Sequence, residues 1–89
     1  MQKKELVFRR QVQSQSGCPL LLEYYRLEQT VRGGVEYGAA IRCICADGRE
    51  ETALPAITVR RERIDRLLAL LADGTVTPAT LRDVTDDWL

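Results

Sequence analysis

Between Val35 and Cys45 the chain reads VEYGAAIRCIC, and this stretch constrains the fold more than any other. Val35, Tyr37, Ala39, Ile41, Cys43 and Cys45 take alternate positions, with Glu36 and Arg42 among the residues between them. Side chains on a strand point to opposite faces with period two, so the stretch predicts a half-buried β-strand with one apolar face. Such a strand needs neighbours and a cover, and the flanking sequence supplies both. Leu6, Phe8 and Val12 alternate with polar residues in a first strand over about 5–12, and the composition of Gln13–Pro19 marks a loop. A second strand follows over about 20–31, with Tyr25, Leu27 and Val31 on one face. The VEYGAAIRCIC strand covers about 35–46, and a short fourth strand over about 49–54 is stopped, or held at a sheet edge, by Pro55.

Turn chemistry then sets the pairing. A three-residue loop Arg32-Gly33-Gly34 pairs Val31 with Val35, Leu27 with Ala39 and Tyr25 with Ile41, bringing the two apolar faces to one side of the sheet. At Asp47-Gly48 a two-residue turn sets Ile41 opposite Leu54 and Cys43 opposite Thr52.

After Pro55 the hydrophobic period changes. Ile64, Leu67, Leu68 and Leu71 fall at i, i+3, i+4 and i+7, which predicts a helix over about 59–73 with Thr58 as N-cap and Gly74 as its end. Leu70 widens its apolar face toward a neighbouring helix. Thr77-Pro78 is a strong start signal for a last helix over about 78–88, in which Leu81, Val84 and Trp88 share a stripe. The expected architecture is α+β: an antiparallel β-meander of three to four strands followed by a C-terminal antiparallel two-helix hairpin packed on one face of the sheet. With 89 residues and 45% hydrophobic side chains this is a single domain, 1–89, whose small core needs most of its apolar side chains. Trp88 is therefore read first as a core residue and second as a grip for a partner.

Charge placement is the other unusual feature. Arg60, Arg61 and Arg63 crowd the start of the first helix, and Asp83, Asp86 and Asp87 crowd the end of the last, both against the helix dipole. An antiparallel hairpin brings these ends together, so arginines are expected to face aspartates. In the alternative reading the three arginines, with Arg9 and Arg10 as helpers, bind an anion or nucleic acid. Nucleic acid is the poorer partner, because Lys plus Arg and Asp plus Glu balance at 13 each and leave no global field.

Several functions are disfavoured outright. Histidine is absent, which removes the usual general base, the nucleophile–histidine triads and the commonest metal ligand. Cys43-Ile44-Cys45 lacks the spacing of a zinc site, and the cysteines are read as small hydrophobes in a reducing, cytoplasmic compartment. No stretch approaches a membrane span, so no membrane is expected. No catalytic residue, metal or cofactor is expected.

Tyr24-Tyr25, Tyr37-Gly38, the leucine-rich helix, and above all Val76-Thr77-Pro78 followed by Leu81-Arg82-Asp83-Val84 and an aromatic-Leu end carry a resemblance. Over about residues 20–89 the chain resembles domain of unknown function 6514, a group of small proteins of anaerobic Gram-positive bacteria. The resemblance implies no activity, cofactor or substrate. Where that family often carries histidine this chain has Thr80, so no imidazole role transfers to it. The expected function is a small non-enzymatic protein-interaction module, self-associating as a homodimer or binding another protein, through a sheet edge or the free part of the helical hairpin.

Overall fold

The structure, a computed structural model, describes residues 2–89. Four strands, β1 (Gln2–Gln13), β2 (Pro19–Val31), β3 (Gly34–Cys45) and β4 (Gly48–Thr58), form one antiparallel sheet in the order β1-β2-β3-β4. Helix α1 (Arg61–Asp73), a 3-10 turn (Pro78–Thr80) and the short helix α2 (Leu81–Trp88) follow. The fold is thus α+β, a meander followed by two helices.

The β2–β3 register differs from the sequence expectation. The loop is the two-residue turn Arg32-Gly33, with Val31 opposite Gly34, Leu27 opposite Gly38 and Tyr24 opposite Ile41. Gly33 takes the left-handed conformation the turn requires, at φ 92°. One residue of slip exchanges the faces of a strand. Tyr24, not Tyr25, therefore faces the core with Leu22, Ala39 and Ile41, and all four are fully buried. The Tyr24 hydroxyl donates to the Val76 carbonyl at 2.9 Å, tying β2 to the segment between the helices.

The next turn is also shifted. It is Ala46-Asp47, with Cys45 opposite Gly48, so Ile41 faces Thr52 and Cys43 faces Glu50. This slip is by two residues and leaves the faces unchanged.

Two irregularities shape the edges. In β1 the register shifts between Leu6 and Phe8. Val7, Phe8 and Val12 pack on the core, whereas Leu6 lies opposite Tyr25 on the other face and is 40% exposed, so Leu6, Phe8 and Val12 do not share one face. In β4 the strand continues past Pro55 instead of stopping at Leu54. Ala39 pairs with Leu54 and Tyr37 with Thr58, so Pro55, Ala56 and Ile57 stand against Gly38 alone. An edge strand tolerates the missing proline N–H, and Ala56 absorbs the bulge at φ 59°. The bulge brings β4 against Gly38, where a Cβ would collide with the Leu54 carbonyl oxygen and lie 2.7 Å from the Pro55 Cα.

Helix α1 contacts all four strands and buries Ile64, Leu67, Leu68, Leu71 and Ala72. Each fully buried leucine or isoleucine contributes roughly 1.5–3 kcal/mol. Its N-cap is Arg60, not Thr58: Thr58 ends β4, and its hydroxyl accepts from the Arg60 amide at 3.2 Å. Gly74 closes α1, but the left-handed residue is Thr75, at φ 46°. Leu70 is half exposed and does not belong to the hydrophobic cluster of the core. The last helix does not run from residue 78 as expected: Thr77-Pro78 opens a 3-10 turn without a Thr77 side-chain cap, and α2 begins at Leu81, which joins the core with Val84 and Trp88 packed against it.

Two outcomes follow from this packing. Gly38→Ala is expected to cost about 2–3 kcal/mol, because the opposing atoms are backbone. The thermal midpoint should then fall by roughly 10–20 °C for a domain of this size. Burial also pushes the Tyr24 phenol up from 10.0 to about 12. The folded state thus favours the protonated ring: stability is full below pH 10.0 and is lost as pH rises toward about 12. Urea midpoints measured across that range should fall for the wild type and stay flatter for Tyr24→Phe.

Candidate functional site

The helices cover one face of the sheet. The other face carries Glu23, Tyr25 and Leu27 from β2, and Ala40 and Arg42 from β3. Lys4 and Arg9 join them from β1, and Glu51 and Ala53 from β4. Although no helix lies over it, the Glu23 side chain is only 8% exposed. Its neighbours roof it: the Tyr25 hydroxyl donates to Glu23 Oε1 at 2.9 Å, Arg9 lies 3.4 Å from Oε2, and Arg42 lies 3.7 Å from Oε1. Arg42 also reaches Glu51 at 3.8 Å. The ring of Tyr25 sits beneath the Lys4 ammonium at 4.6 Å and the Arg42 guanidinium at 5.3 Å. Burial, with the bond to Glu23, raises the Tyr25 phenol above its ordinary range.

This belt crosses the whole sheet. Lys4 stands on one edge strand and Glu51 on the other, and their side chains bond directly. Strands two apart in a flat sheet are separated by about 9–10 Å, yet β2 and β4 approach within 8 Å. The sheet is curled toward this face, and Lys4–Glu51 straps across its concavity.

Beside the strap lies a trough of about 580 Å³. It is lined by Leu27, Ala53 and the Pro55-Ala56 bulge, which packs over Gly38, and it meets the fully buried Ala40 at its base. Lys3 is engaged by Glu28 at 3.8 Å and Lys4 by Glu51, whereas Glu36 has no cation within ion-pair distance among the described residues. The volume lies in the range of ligand-binding clefts.

The residues singled out from sequence do not converge. Arg60 and Arg61 are exposed, Arg61 lies 3.8 Å from Asp65, and the Arg63 guanidinium lies 4.6 Å over the Trp88 ring. No ion pair joins Arg60, Arg61 or Arg63 to Asp83, Asp86 or Asp87 among the described residues, so the expected facing of arginines and aspartates is not realised. Arg63 stacks on the aromatic ring, which suits a planar guanidinium. Arg9 is turned to Glu23 on the far face, and Arg10 lies over Phe8. Trp88 is half-buried against the core, as its helical stripe predicts. The three cysteines are free: Cys18 is exposed, Cys43 and Cys45 are half-buried, and burial beside Cys45 and Glu50 pushes the Cys43 thiol up. Among the described residues no group of three or more His, Cys, Asp or Glu side chains is placed to hold a metal ion, and no helix is long and apolar enough to cross a membrane.

Fold and site together define a small α+β module: a curled antiparallel meander with helices on one face and a strapped trough on the other. The chain belongs to the Family of unknown function (DUF6514), whose model matches residues 3–89 and so takes in β1 as well as the motifs from residue 20 onward. No curated protein and no solved structure matches the chain.

The strap is testable by its pH dependence. The Lys4 ammonium bonded to Glu51 holds its carboxyl below the usual 4.5, helped by Arg42 and Arg49 nearby. A depressed folded value contributes stability above the unfolded pKa and loses it as pH falls through the folded one. Both side chains are more than a third exposed, so solvent screens the pair and the effect is small. Urea midpoints followed from neutral pH to about pH 3 should show a shallower acid limb for Glu51→Gln than for the wild type.

Proposed function

We propose that this protein is a small non-enzymatic interaction module that receives an extended segment of a partner protein in the trough beside the Lys4–Glu51 strap. One observation carries the reading: the concave face holds an open trough beside exposed Ala53 and half-buried Leu27, where no large side chain keeps a second chain away. Its charge selects the occupant. The lining residues Lys3, Lys4, Glu28, Glu36 and Glu51 carry one more acid than base, and Glu36 is the carboxylate without an ion-pair partner among the described residues. The segment is therefore apolar or small along its length, with a lysine or arginine that meets Glu36.

The sheet edges support the reading less well. The outer strands are long, 12 residues in β1 and 11 in β4, rather than short. Both carry bulges and charged side chains, and β4 carries Pro55, devices that discourage edge-to-edge pairing. An anion site on Arg60, Arg61 and Arg63 is weaker still, because Arg63 is committed to Trp88 and Arg61 leans toward Asp65. In this reading α1 and α2 act as an antiparallel hairpin that covers the opposite face, and the three free thiols fit a cytoplasmic setting.

An array of synthetic extended peptides, with and without a basic residue, is the direct test. Peptides with small or apolar alternation and one lysine or arginine should bind, Ala53→Trp should weaken them at least tenfold, and Glu36→Gln should remove the preference for the basic residue. If no peptide binds, or Ala53→Trp binds them as the wild type does, the segment reading fails. A dimer in light scattering that Ala53→Trp dissolves would overturn it in favour of a second copy as the occupant.

A further inference from the structure

At the other end of the sheet a second cavity, of about 450 Å³, opens between the β3–β4 turn and the 3-10 turn. Cys43 and Cys45 both line it, with Asp47, Arg49, Glu50 and Pro78. The two cysteines are two residues apart on one strand and so project from the same face. A strand rises about 3.2–3.4 Å per residue, which sets their Cα atoms roughly 6.5 Å apart and their Cβ atoms at a similar spacing. A disulfide requires Cβ atoms about 3.5–4.5 Å apart, so the strand itself opposes closing this pair. The two thiols are free and stand side by side at the wall of one cavity.

What bridges such a gap is an atom that bonds to both sulfurs. Thiolates prefer soft ions, chiefly Cu(I), Zn(II) and iron–sulfur clusters. Zinc takes four ligands in a structural site and about three in a catalytic one, and no such group is assembled among the described residues. Cu(I) is satisfied by two sulfurs. The remaining charges suit a cation's arrival: Asp47 and Glu50 outnumber Arg49, and Arg49 then stands as a counter-charge for the singly negative complex that two thiolates and one Cu(I) make.

We infer that Cys43 and Cys45 form a two-coordinate site for Cu(I) beneath the 3-10 turn. On binding, each thiol gives its proton to solvent, two sulfur–copper bonds form, and the copper stays in the +1 state. The site is independent of the trough, which lies on the opposite face.

The test titrates the reduced Cys18→Ser chain under anaerobic conditions with Cu(I) held by a chromophoric chelator, bathocuproine disulfonate. The chain should withdraw a single copper ion and develop thiolate-to-copper absorption in the near ultraviolet. Cys45→Ser, which touches the core less than Cys43→Ser, should lose both signals while keeping the parent's far-ultraviolet circular dichroism. Failure of the Cys18→Ser chain to compete for copper would overturn the inference. So would retention of binding in a folded Cys43→Ser or Cys45→Ser variant.

Discussion

A charged side chain on the helix-covered face of the sheet organises this molecule. Arg26 projects from β2 into the layer beneath α1 and is only 8% exposed. Its guanidinium donates to Asp65 of α1 at 2.8 Å and to Glu5 of β1 at 2.5 Å. Burial opposes the charge, but the two carboxylates more than offset it, and the net effect raises the arginine's pKa. A desolvated guanidinium without partners would be costly, so β1, β2 and α1 must all be in place together. Asp65 and Glu5 remain substantially exposed, which tempers the net stabilisation and makes the triad a device for register more than for strength.

With Arg26 pointing toward α1, its neighbours at alternate positions, Leu22 and Tyr24, must point there too. Tyr24 then reaches the Val76 carbonyl and fixes where the chain leaves α1. The residues between them, Glu23, Tyr25 and Leu27, are sent to the other face by the same rule. That face is closed by its own charges instead of by a helix. The long arms of Lys4 and Arg42 lie across Tyr25, and Arg9 and Arg42 shield Glu23, a case of charged side chains covering surface with their stems. Beyond them the β4 bulge closes over Gly38, and the face opens beside Leu27 and Ala53 into the trough.

Much of this was legible in order. The period-two run of β3, the helical stripe from Ile64 to Leu71 and the stop at Gly74 appear where local pattern puts them, whereas Thr77-Pro78 opens a 3-10 turn and the last α-helix begins only at Leu81. The face of β2 was not legible, because Leu20–Val31 carries apolar residues at both parities and Arg26 reads as a surface residue until its two acids are found. Nor were the bulges at Val7 and at Pro55–Ile57, since an inserted residue shows only once a partner strand is aligned. The trough had only a faint signal, the small residues Gly38, Ala40, Ala53 and Ala56, which say nothing of the open face until the strands are paired. The arginines and aspartates were visible as clusters, but their partners were not, because rotamers and a nearby Trp88 ring decide where a guanidinium goes.

The sequence by itself determined which segments are strands and helices and that one sheet face is covered, because periodicity and capping are local and act within a few residues. The tertiary structure decided which face of β2 is core, how the edges curl toward each other, and which charges meet. Those depend on register, and register is settled by whole-molecule satisfaction: a single slip turns every side chain over, and only the alignment that pairs Arg26 and buries Leu22 and Tyr24 satisfies both polar and apolar groups at once.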